Sequence, residues 1–513
     1  MMAAPNFVRA LLPALIAVLI AVAPAAAAPG DADNGEAVYT ARCLQCHGED
    51  GDGLSPAEER LNPPPRDFTS GDYKFRTTAF DDFVPNDDDL MRMVRDGMNG
   101  TAMPGWGDIL SEQEMWDVIA YIKTFSGLEE EAPSTQVDYG TMIESSPDSI
   151  AKGRDLFHAD DRCSECHGRD GKGDAIKRLK DDNGARTWPR NLTKAWTFRT
   201  SNAPKDIFTR ISVGIPSTQM PSFADPKSKK KLSIEERWHV ANYVASLADS
   251  ERVVRADNTV IKAAKTDGGL PTAPDDPAWA QGPPATFFLV PQIVADKRFF
   301  TPANDSITVR ALYDDTAIAL LVEWDDRTKS IPGDAKAEAI ADAGMGEDAV
   351  AVQFPVTIPQ GMEKPYFLMG DAARPVNLWQ WSSGATDTAE RVTLANAHGV
   401  DDRQEREAAA SGLTATGSYR DGTWRVAMTR PLATQATGED LQFVEGRFIP
   451  IAFFSWDGSN GETATKHTMT TWYWLLLAPA GGSQPFIAAI VVALLLLGAE
   501  VLWARGARKR RES

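Results

Sequence analysis

Two stretches constrain this chain more than any others: CLQCHGEDGDG, starting at Cys43, and CSECHGRDGKG, starting at Cys163. Each sets two thiols two residues apart, places a histidine directly after the second, and runs on into glycines. Cys43, Cys46, Cys163 and Cys166 are all the cysteines there are, so none is left over for a structural disulfide. The C-x-x-C-H pattern attaches c-type haem: the thiols form thioethers to the porphyrin and the adjacent histidine ligates the iron. A thioredoxin-like dithiol would sit in a βαβ pattern, and neither motif does. A four-thiolate zinc site would have to join pairs more than a hundred residues apart. On the haem reading, His47 and His167 are the proximal ligands.

Each motif is followed by a candidate for the opposite iron face. Met103-Pro104 lies 56 residues after His47, and Met220-Pro221 lies 53 residues after His167. A Met thioether opposite a histidine fills the coordination sphere, which suits electron transfer more than oxygen chemistry. Met98 rivals Met103, but only Met103 shares its following proline with Met220. His158 and His239 offer a bis-histidine alternative in the second half, with no counterpart in the first. An amphipathic helix pattern follows each Met-Pro. PPRDFTSGDYKFRTTA in the first half is matched by WPRNLTKAWTFRTSN in the second. The chain therefore holds an internal duplication with a period of about 120 residues. Residues 33–127 and 149–249 resemble class I cytochrome c domains, which implies two small all-α folds and two covalent haem c groups. Residues 128–148, acidic and containing Ser and Pro, read as the linker between them.

Past residue 250 the texture changes. SITVRALYDDTAIALLVEW alternates about a turn at Asp314-Asp315, and DAVAVQFPV, GTWRVAMTRPL and FIPIAFFSWDGSNGE continue the pattern. Short strands with turn signals between them predict an antiparallel β-sandwich. Residues 330–346 and 384–415 read as surface insertions. The segments KPYFLMGDAARPVNLWQWSSG and WDGSNGETATKHTMTTWYWLLL, set in that pattern, resemble the haem b-binding domain of the ethylbenzene dehydrogenase gamma-subunit family over residues 270–478. That family serves periplasmic molybdenum enzymes of the dimethyl sulfoxide reductase type. The resemblance implies one non-covalent haem b held between Met369 and Lys466, with Trp379, Trp381, Trp472 and Tyr473 as apolar walls. His467, the next residue, is the more ordinary iron ligand; strand alternation lets only one of the two face a cavity. A cofactor-free sandwich used for docking or sugar binding stays open.

The two ends complete the expectation. Residues 1–28 carry one early arginine, an apolar run and a small-residue stretch, the pattern of a secretory signal. Residues 485–504 are long and apolar enough for one transmembrane helix, and the basic tail 505–513 would stay cytoplasmic by the positive-inside rule. The fold class expected is multidomain: two all-α cytochrome c domains, an antiparallel sandwich, then a single-pass C-terminal helix in a bacterial inner membrane. A net charge of −19 argues against a nucleic-acid partner. Nothing in the chain supplies a catalytic triad, a nucleotide loop or a molybdenum-binding signature. The expected role is a non-catalytic electron-transfer subunit between a molybdenum/iron-sulfur oxidoreductase and a quinone-linked or cytochrome carrier. The alternatives are a peroxidase-like dihaem enzyme with an open iron face, and a dihaem relay joined to a cofactor-free module.

Overall fold

The computed structural model describes residues 30–479, apart from positions 62, 130, 134, 176, 183, 185, 297, 299–301, 342–343, 362, 385 and 387–389, together with 496–498 and 500. The signal sequence at 1–28, most of the span at 485–504 and the tail at 505–513 lie outside the described residues. Among the described residues no helix is long and apolar enough to cross a membrane.

The chain divides into two compact units. The first comprises residues 1–153, 181–184 and 197–245; the second comprises 154–180, 185–196 and 246–513. The first unit contains helices α1 (Ala32–Arg42), α2 (Leu44–His47), α3 (Asp87–Asp96) and α4 (Glu112–Thr124). Helix α1 starts where the Asp31 carboxylate accepts from the Asp33 and Asn34 N–H groups. Helix α4 starts at a reciprocal Ser111/Glu114 capping box. The core of this repeat is built from Tyr39, Leu90, Val94, Met115, Val118 and Ile119. Helices α1 and α4 cross at Gly35, where an added Cβ would stand 2.0 Å from the Asp117 carbonyl oxygen. In the second repeat, helix α5 (Pro147–His158) starts in the first unit, α6 (Ser164–His167) belongs to the second, and α7 (Pro204–Val213) and α8 (Ile234–Ser246) lie almost wholly in the first. Gly153 of α5 repeats the close crossing, since an added Cβ would stand 2.0 Å from the His239 carbonyl oxygen of α8. The all-α expectation needs one correction. The two-residue strands β1 (Leu179–Lys180) and β2 (Arg186–Thr187) pair antiparallel in the second repeat.

The second unit holds a 14-stranded sheet. Its strands are β3 (Val260–Lys265), β4 (Ala285–Phe288), β5 (Val290–Pro291), β6 (Ser306–Tyr313), β7 (Ala317–Asp325), β8 (Ala349–Pro355) and β9 (Val376–Ser382). They continue with β10 (Arg391–Ala397), β11 (Arg403–Arg406), β12 (Thr414–Arg420), β13 (Thr423–Pro431), β14 (Phe448–Trp456), β15 (Thr468–Met469) and β16 (Tyr473–Leu477). The main path runs β11-β10-β9-β8-β14-β16-β3-β6-β7-β13-β12. Six strands separate β9 from β13 on this path, yet the Trp381 and Trp424 rings meet at 4.9 Å. The sheet therefore doubles back on itself, and its two halves enclose a core that includes Trp324, Trp379, Trp381, Trp424 and Phe453.

Three sequence expectations are corrected here. The sheet is not purely antiparallel: β3 pairs parallel with both β16 and β6. Strand β3 arrives from outside the hairpin sequence, so no tight turn dictates its direction. Residues 384–415 are not a surface insertion, because they supply β10 and β11 at one end of the sheet. Strand β11 reads RQER, a charged edge strand that carries no apolar signal and resists edge-to-edge pairing. Residues 330–346 contain helix α9 (Ala335–Ile340), which buries Ala337 and Ile340 instead of lying on the surface. The expected hairpin does form. β6 and β7 pair antiparallel, and the Asp314 carboxylate accepts from the Thr316 and Ala317 N–H groups in its turn.

The second C-x-x-C-H motif is fastened to this sheet by charge. The Lys172 ammonium donates to the Asp421 carbonyl and to the Thr423 hydroxyl, each at 2.6 Å. Lys336 of α9 pairs with Asp174 at 3.1 Å. Asp325, at the end of β7, accepts from Asn191 and pairs with Arg252, each at 3.0 Å. Burial alone would raise the Asp325 carboxyl, but the cations of Lys194, Arg252 and Lys172 hold it well below the usual carboxylate range.

Candidate haem sites

The two C-x-x-C-H motifs have the same local build. In both, the thiols are half-buried and the histidine ends a single helical turn. The Gly53 N–H donates to the His47 carbonyl at 2.9 Å, as the Gly173 N–H does to the His167 carbonyl at 2.7 Å. The His47 Nδ1 lies 3.1 Å from the Arg66 carbonyl oxygen, and the His167 Nδ1 lies 3.0 Å from that of Arg190. A carbonyl only accepts, so Nδ1 carries the proton in both rings and Nε2 keeps its lone pair for a metal. Burial lowers the pKa of each imidazole, which favours the neutral, ligating form.

The two Met-Pro loops, both in the first unit, match residue for residue. The Met98 N–H donates to the Met103 carbonyl at 3.1 Å, and the Ile215 N–H to the Met220 carbonyl at 3.1 Å. The Thr101 and Thr218 hydroxyls accept from the Met103 and Met220 N–H groups. Both loops fold tightly over a glycine: an added Cβ on Gly97 or Gly214 would stand 2.8 Å from the methionine carbonyl oxygen. Ile215 occupies the place of Met98, so the thioether common to the repeat is that of Met103 and Met220. Of the alternative ligands, His158 is exposed, while the His239 Nδ1 is 2.9 Å from the Ser149 hydroxyl inside a helical core. His167 and Met220 fall in different units. Trp106 and Trp116 in the first unit and Trp196 in the second each bury an indole N–H with no acceptor among the described residues.

Met369 lies in a different setting. A cavity of about 560 Å³ opens on the face of the β8–β9–β10 sheet that points away from the doubled core. Outer faces of antiparallel sheets are commonly polar and wet. This one is apolar and low, with Ala349, Ala351, Ala395, Ala397 and Ala452 beside Leu368, Met369, Phe454, Trp456 and Trp472. Ala349 lines the cavity, and the other four alanines pack on the same sheet face beside it. Met369 lines the cavity from a turn in which its own backbone is left-handed, with φ at 59°. Such a conformation costs a non-glycine residue on the order of 1–2 kcal/mol and persists only where its surroundings impose it. Gln353 imposes it. From a fully buried position on β8 its side chain accepts from the Met369 N–H at 3.0 Å and donates to the Phe367 carbonyl at 2.9 Å. The Trp472 indole adds a 2.8 Å bond to the Pro365 carbonyl.

The opposite wall is Trp456 and residues 462–465. It stops one residue short of Lys466, which is half-buried and whose ammonium has no ion-pair partner among the described residues. His467 is 1% exposed and packs between Phe454 and Trp456, each ring centroid 5.1 Å away. Its Nε2 is buried with no partner, and burial lowers its pKa to about 4. Of the four aromatic residues expected as walls, only Trp472 belongs to this face. Trp379 and Trp381 point into the doubled core, and Tyr473 packs on that core. Strand alternation explains the correction, because Gln380 and Ser382 are the residues of β9 that face the cavity. Gln353, Trp456, Gln380, Arg391 and Arg403 are site residues that the sequence reading missed. None stands in a motif, and a face lined with alanines is legible only once strand register is known.

Glu462 lines the cavity and accepts from the N–H of Asp457, a member of a cluster of buried acids with Asp326 and Asp348. Burial, reinforced by Asp457, raises Glu462 to about 8 and Asp348 to about 7; burial also raises Asp326 and Asp457. The Asp348 carboxylate is a structural hub, accepting from the N–H groups of Ser330 and Gly458 and from the Trp424 indole. The folded chain holds protons here that an unfolded chain would release. The stabilisation is full below the ordinary carboxylate pKa and is lost as pH rises through about 8 for Glu462. The melting temperature of the sheet unit should therefore fall between pH 6 and pH 9, approximate bounds on that titration. Glu462→Gln should flatten the slope, as differential scanning calorimetry at several pH values would record.

Comparison with known families follows this geometry. Residues 30–122 match the model for cytochrome c oxidase, cbb3-type, subunit III; residues 150–248 match cytochrome c; residues 276–412 match ethylbenzene dehydrogenase. The chain is 27% identical over 249 residues to the chlorate reductase subunit gamma of Ideonella dechloratans, covering 48% of this chain and 96% of that protein. It is 37% identical over 99 residues to the thiosulfate dehydrogenase of Allochromatium vinosum, covering 18% of this chain and 31% of that protein. Among solved structures, a chain of the reducing HAO-like protein complex of Kuenenia stuttgartiensis is 34% identical, with 43% of this chain and 99% of that chain covered, at a TM-score of 0.40.

Proposed function

We propose, from one ethylbenzene dehydrogenase domain, one domain like cytochrome c oxidase cbb3-type subunit III and one cytochrome c domain, that the chain is a membrane-anchored multihaem cytochrome. It passes electrons between an oxidoreductase of the molybdenum/iron-sulfur type and a quinone-linked or cytochrome carrier. Two haem c and one haem b serve it, each iron taking up and giving up one electron at a time when bound. The observation that carries the reading is the Met369 cavity, a preformed site of about 560 Å³ on a sheet face that would otherwise be wet, in a chain with two C-x-x-C-H motifs.

The residues have definite tasks. Cys43 with Cys46, and Cys163 with Cys166, fix the two covalent groups. The Arg66 and Arg190 carbonyls orient His47 and His167 so that Nε2 faces the metal. The Met103 and Met220 loops, closed by their threonine and backbone bonds, would supply a soft sulfur as the second ligand of each c haem iron. Met369 and Lys466 would hold the third iron. The similarity to a chlorate reductase subunit gamma supports an oxidoreductase partner. The end sequences support export through residues 1–28, a single helix at 485–504 and haem domains on the periplasmic side.

A pyridine haemochrome assay on the purified chain tests the reading. The expected result is two covalent haems and one that acid-acetone extracts. Two covalent haems with none extractable would leave the sheet unit as a docking module. Lys466→Ala should abolish the extractable haem with both covalent ones intact, whereas His467→Ala should leave all three. The reverse outcome would move the ligand to His467. A far-red Met-to-iron charge-transfer band from both c haems is expected, and its absence would reopen a peroxidase-like site.

A further inference from the structure

The cavity beside Met369 mixes apolar residues such as Val400 and Trp456 with the carboxyls of Glu347 and Glu462, and its two cations stand at one corner, where β9, β10 and β11 bring Gln380, Ser382, Arg391 and Arg403 together. These strands neighbour one another at the end of the sheet path, with β11 as its last member. Register puts the four residues on one face: Arg391 is paired with Ser382 across β10 and β9, and Arg403 with Ala397 across β11 and β10.

The two arginines differ in how they are held. Arg391 is at the mouth, 66% exposed, and pairs with Glu347 at 2.6 Å. Arg403 is the inner one. Its Nη2 donates to the Gln380 side-chain carbonyl at 2.8 Å and approaches the exposed Glu405 at 3.3 Å. Its Nε–H is buried and has no acceptor among the described residues. A buried donor on a charged group is costly to leave unpaired, so an acceptor there gains more than an ordinary hydrogen bond would. Gln380 holds the guanidinium at the cavity wall, with its Nε–H still to be satisfied.

We propose that this corner is the carboxylate-binding subsite of the cavity, and that Arg403, with Arg391 at the rim, receives the two propionates of the haem b proposed above. The assignment rests on that haem b reading and adds an orientation to it. The acidic edge of the macrocycle would lie toward the β10–β11 end of the sheet, and the apolar edge toward Met369 and Trp456. Arg403 is a binding residue for the group's periphery and has no part in ligating its iron.

The test separates charge recognition from fold. The full-length chain carrying both covalent haems is stripped of its extractable haem by excess apomyoglobin, then offered protohaem or its dimethyl ester, in which the propionates are uncharged. Wild type should retain protohaem more tightly than the ester, and Arg403→Gln should lose protohaem roughly tenfold to a hundredfold faster, as expected for a lost charge-assisted pair. The variant should hold acid and ester equally, and Arg403→Lys should recover part of the preference. Equal retention of acid and ester by wild type would overturn the subsite while leaving haem b in place. Failure of wild type to bind either form would overturn the haem b reading itself. Unchanged covalent haem and an unchanged melting curve in Arg403→Gln exclude loss through unfolding; if that variant does not fold, the acid-against-ester comparison in wild type decides alone.

Discussion

Replacing Gln353 with leucine is expected to empty the Met369 cavity. The buried amide makes the two bonds that hold residues 367–369 to the sheet. Leucine has nearly the same volume but can neither donate nor accept. The Met369 N–H and the Phe367 carbonyl would then be buried without partners, at about 1–3 kcal/mol each. The left-handed backbone at Met369 adds its own tendency to relax once it is no longer imposed. The turn should swing off the sheet face and take the thioether with it. The measurement is extractable haem per covalent haem, together with the melting temperature of the sheet unit. Gln353→Leu should lose most of the extractable haem and lower the stability of that unit by about 2–6 kcal/mol, the sum of the two bonds. Gln353→Glu keeps an acceptor for Met369 and should retain more haem than leucine does. Full retention in Gln353→Leu would show that something other than this turn positions the ligand.

The second large effect concerns the duplicated motif. Cys43→Ser combined with Cys46→Ser should reduce covalent haem from two groups to one and leave the first repeat unfolded. Small helical cytochrome domains have little core apart from what packs on the macrocycle, and below about 100 residues a chain struggles to bury enough apolar surface unaided. Tyr39, Phe68, Leu90 and Ile119 surround this motif and would lose their common partner. The matching change at Cys163 and Cys166 should also remove one haem. Its motif loop, however, is tied to the sheet through Lys172, Asp174 and Asn191, so the loop should keep more order. Haem staining after denaturing electrophoresis gives the first quantity, and limited proteolysis across residues 33–127 and 149–249 gives the second. Equal protease sensitivity in the two double variants would show that the sheet contacts add no order.

Much of the chemistry could be read from short stretches. The two C-x-x-C-H motifs, their proximal histidines and the Met-Pro repeats lie within spans that one helical domain can fold. The structure added a discriminating detail by placing Ile215 where Met98 stands, which leaves Met103 and Met220 as the common pair. The sheet was legible as strands, but strand β3 and the edge strand β11 were not. The first pairs parallel across a long sequence separation, and the second reads RQER with no apolar residue. Trp379 and Trp381 were assigned to the wrong face, because an alternating strand does not say which of its two faces meets the ligand.

The sequence by itself determined the covalent anchors and the duplication, because thioether attachment and the adjacent iron ligand need only neighbouring residues in a fixed order. Only the tertiary structure decided that five alanines share one face, that Gln353 holds Met369 in its turn, and that Arg403 brings its guanidinium to the wall of the same cavity. Those residues come from strands and loops joined by non-local pairing, and a cavity is a property of what packing leaves unfilled. No short segment records that volume, since it belongs to the register of β8, β9, β10 and β11 taken together.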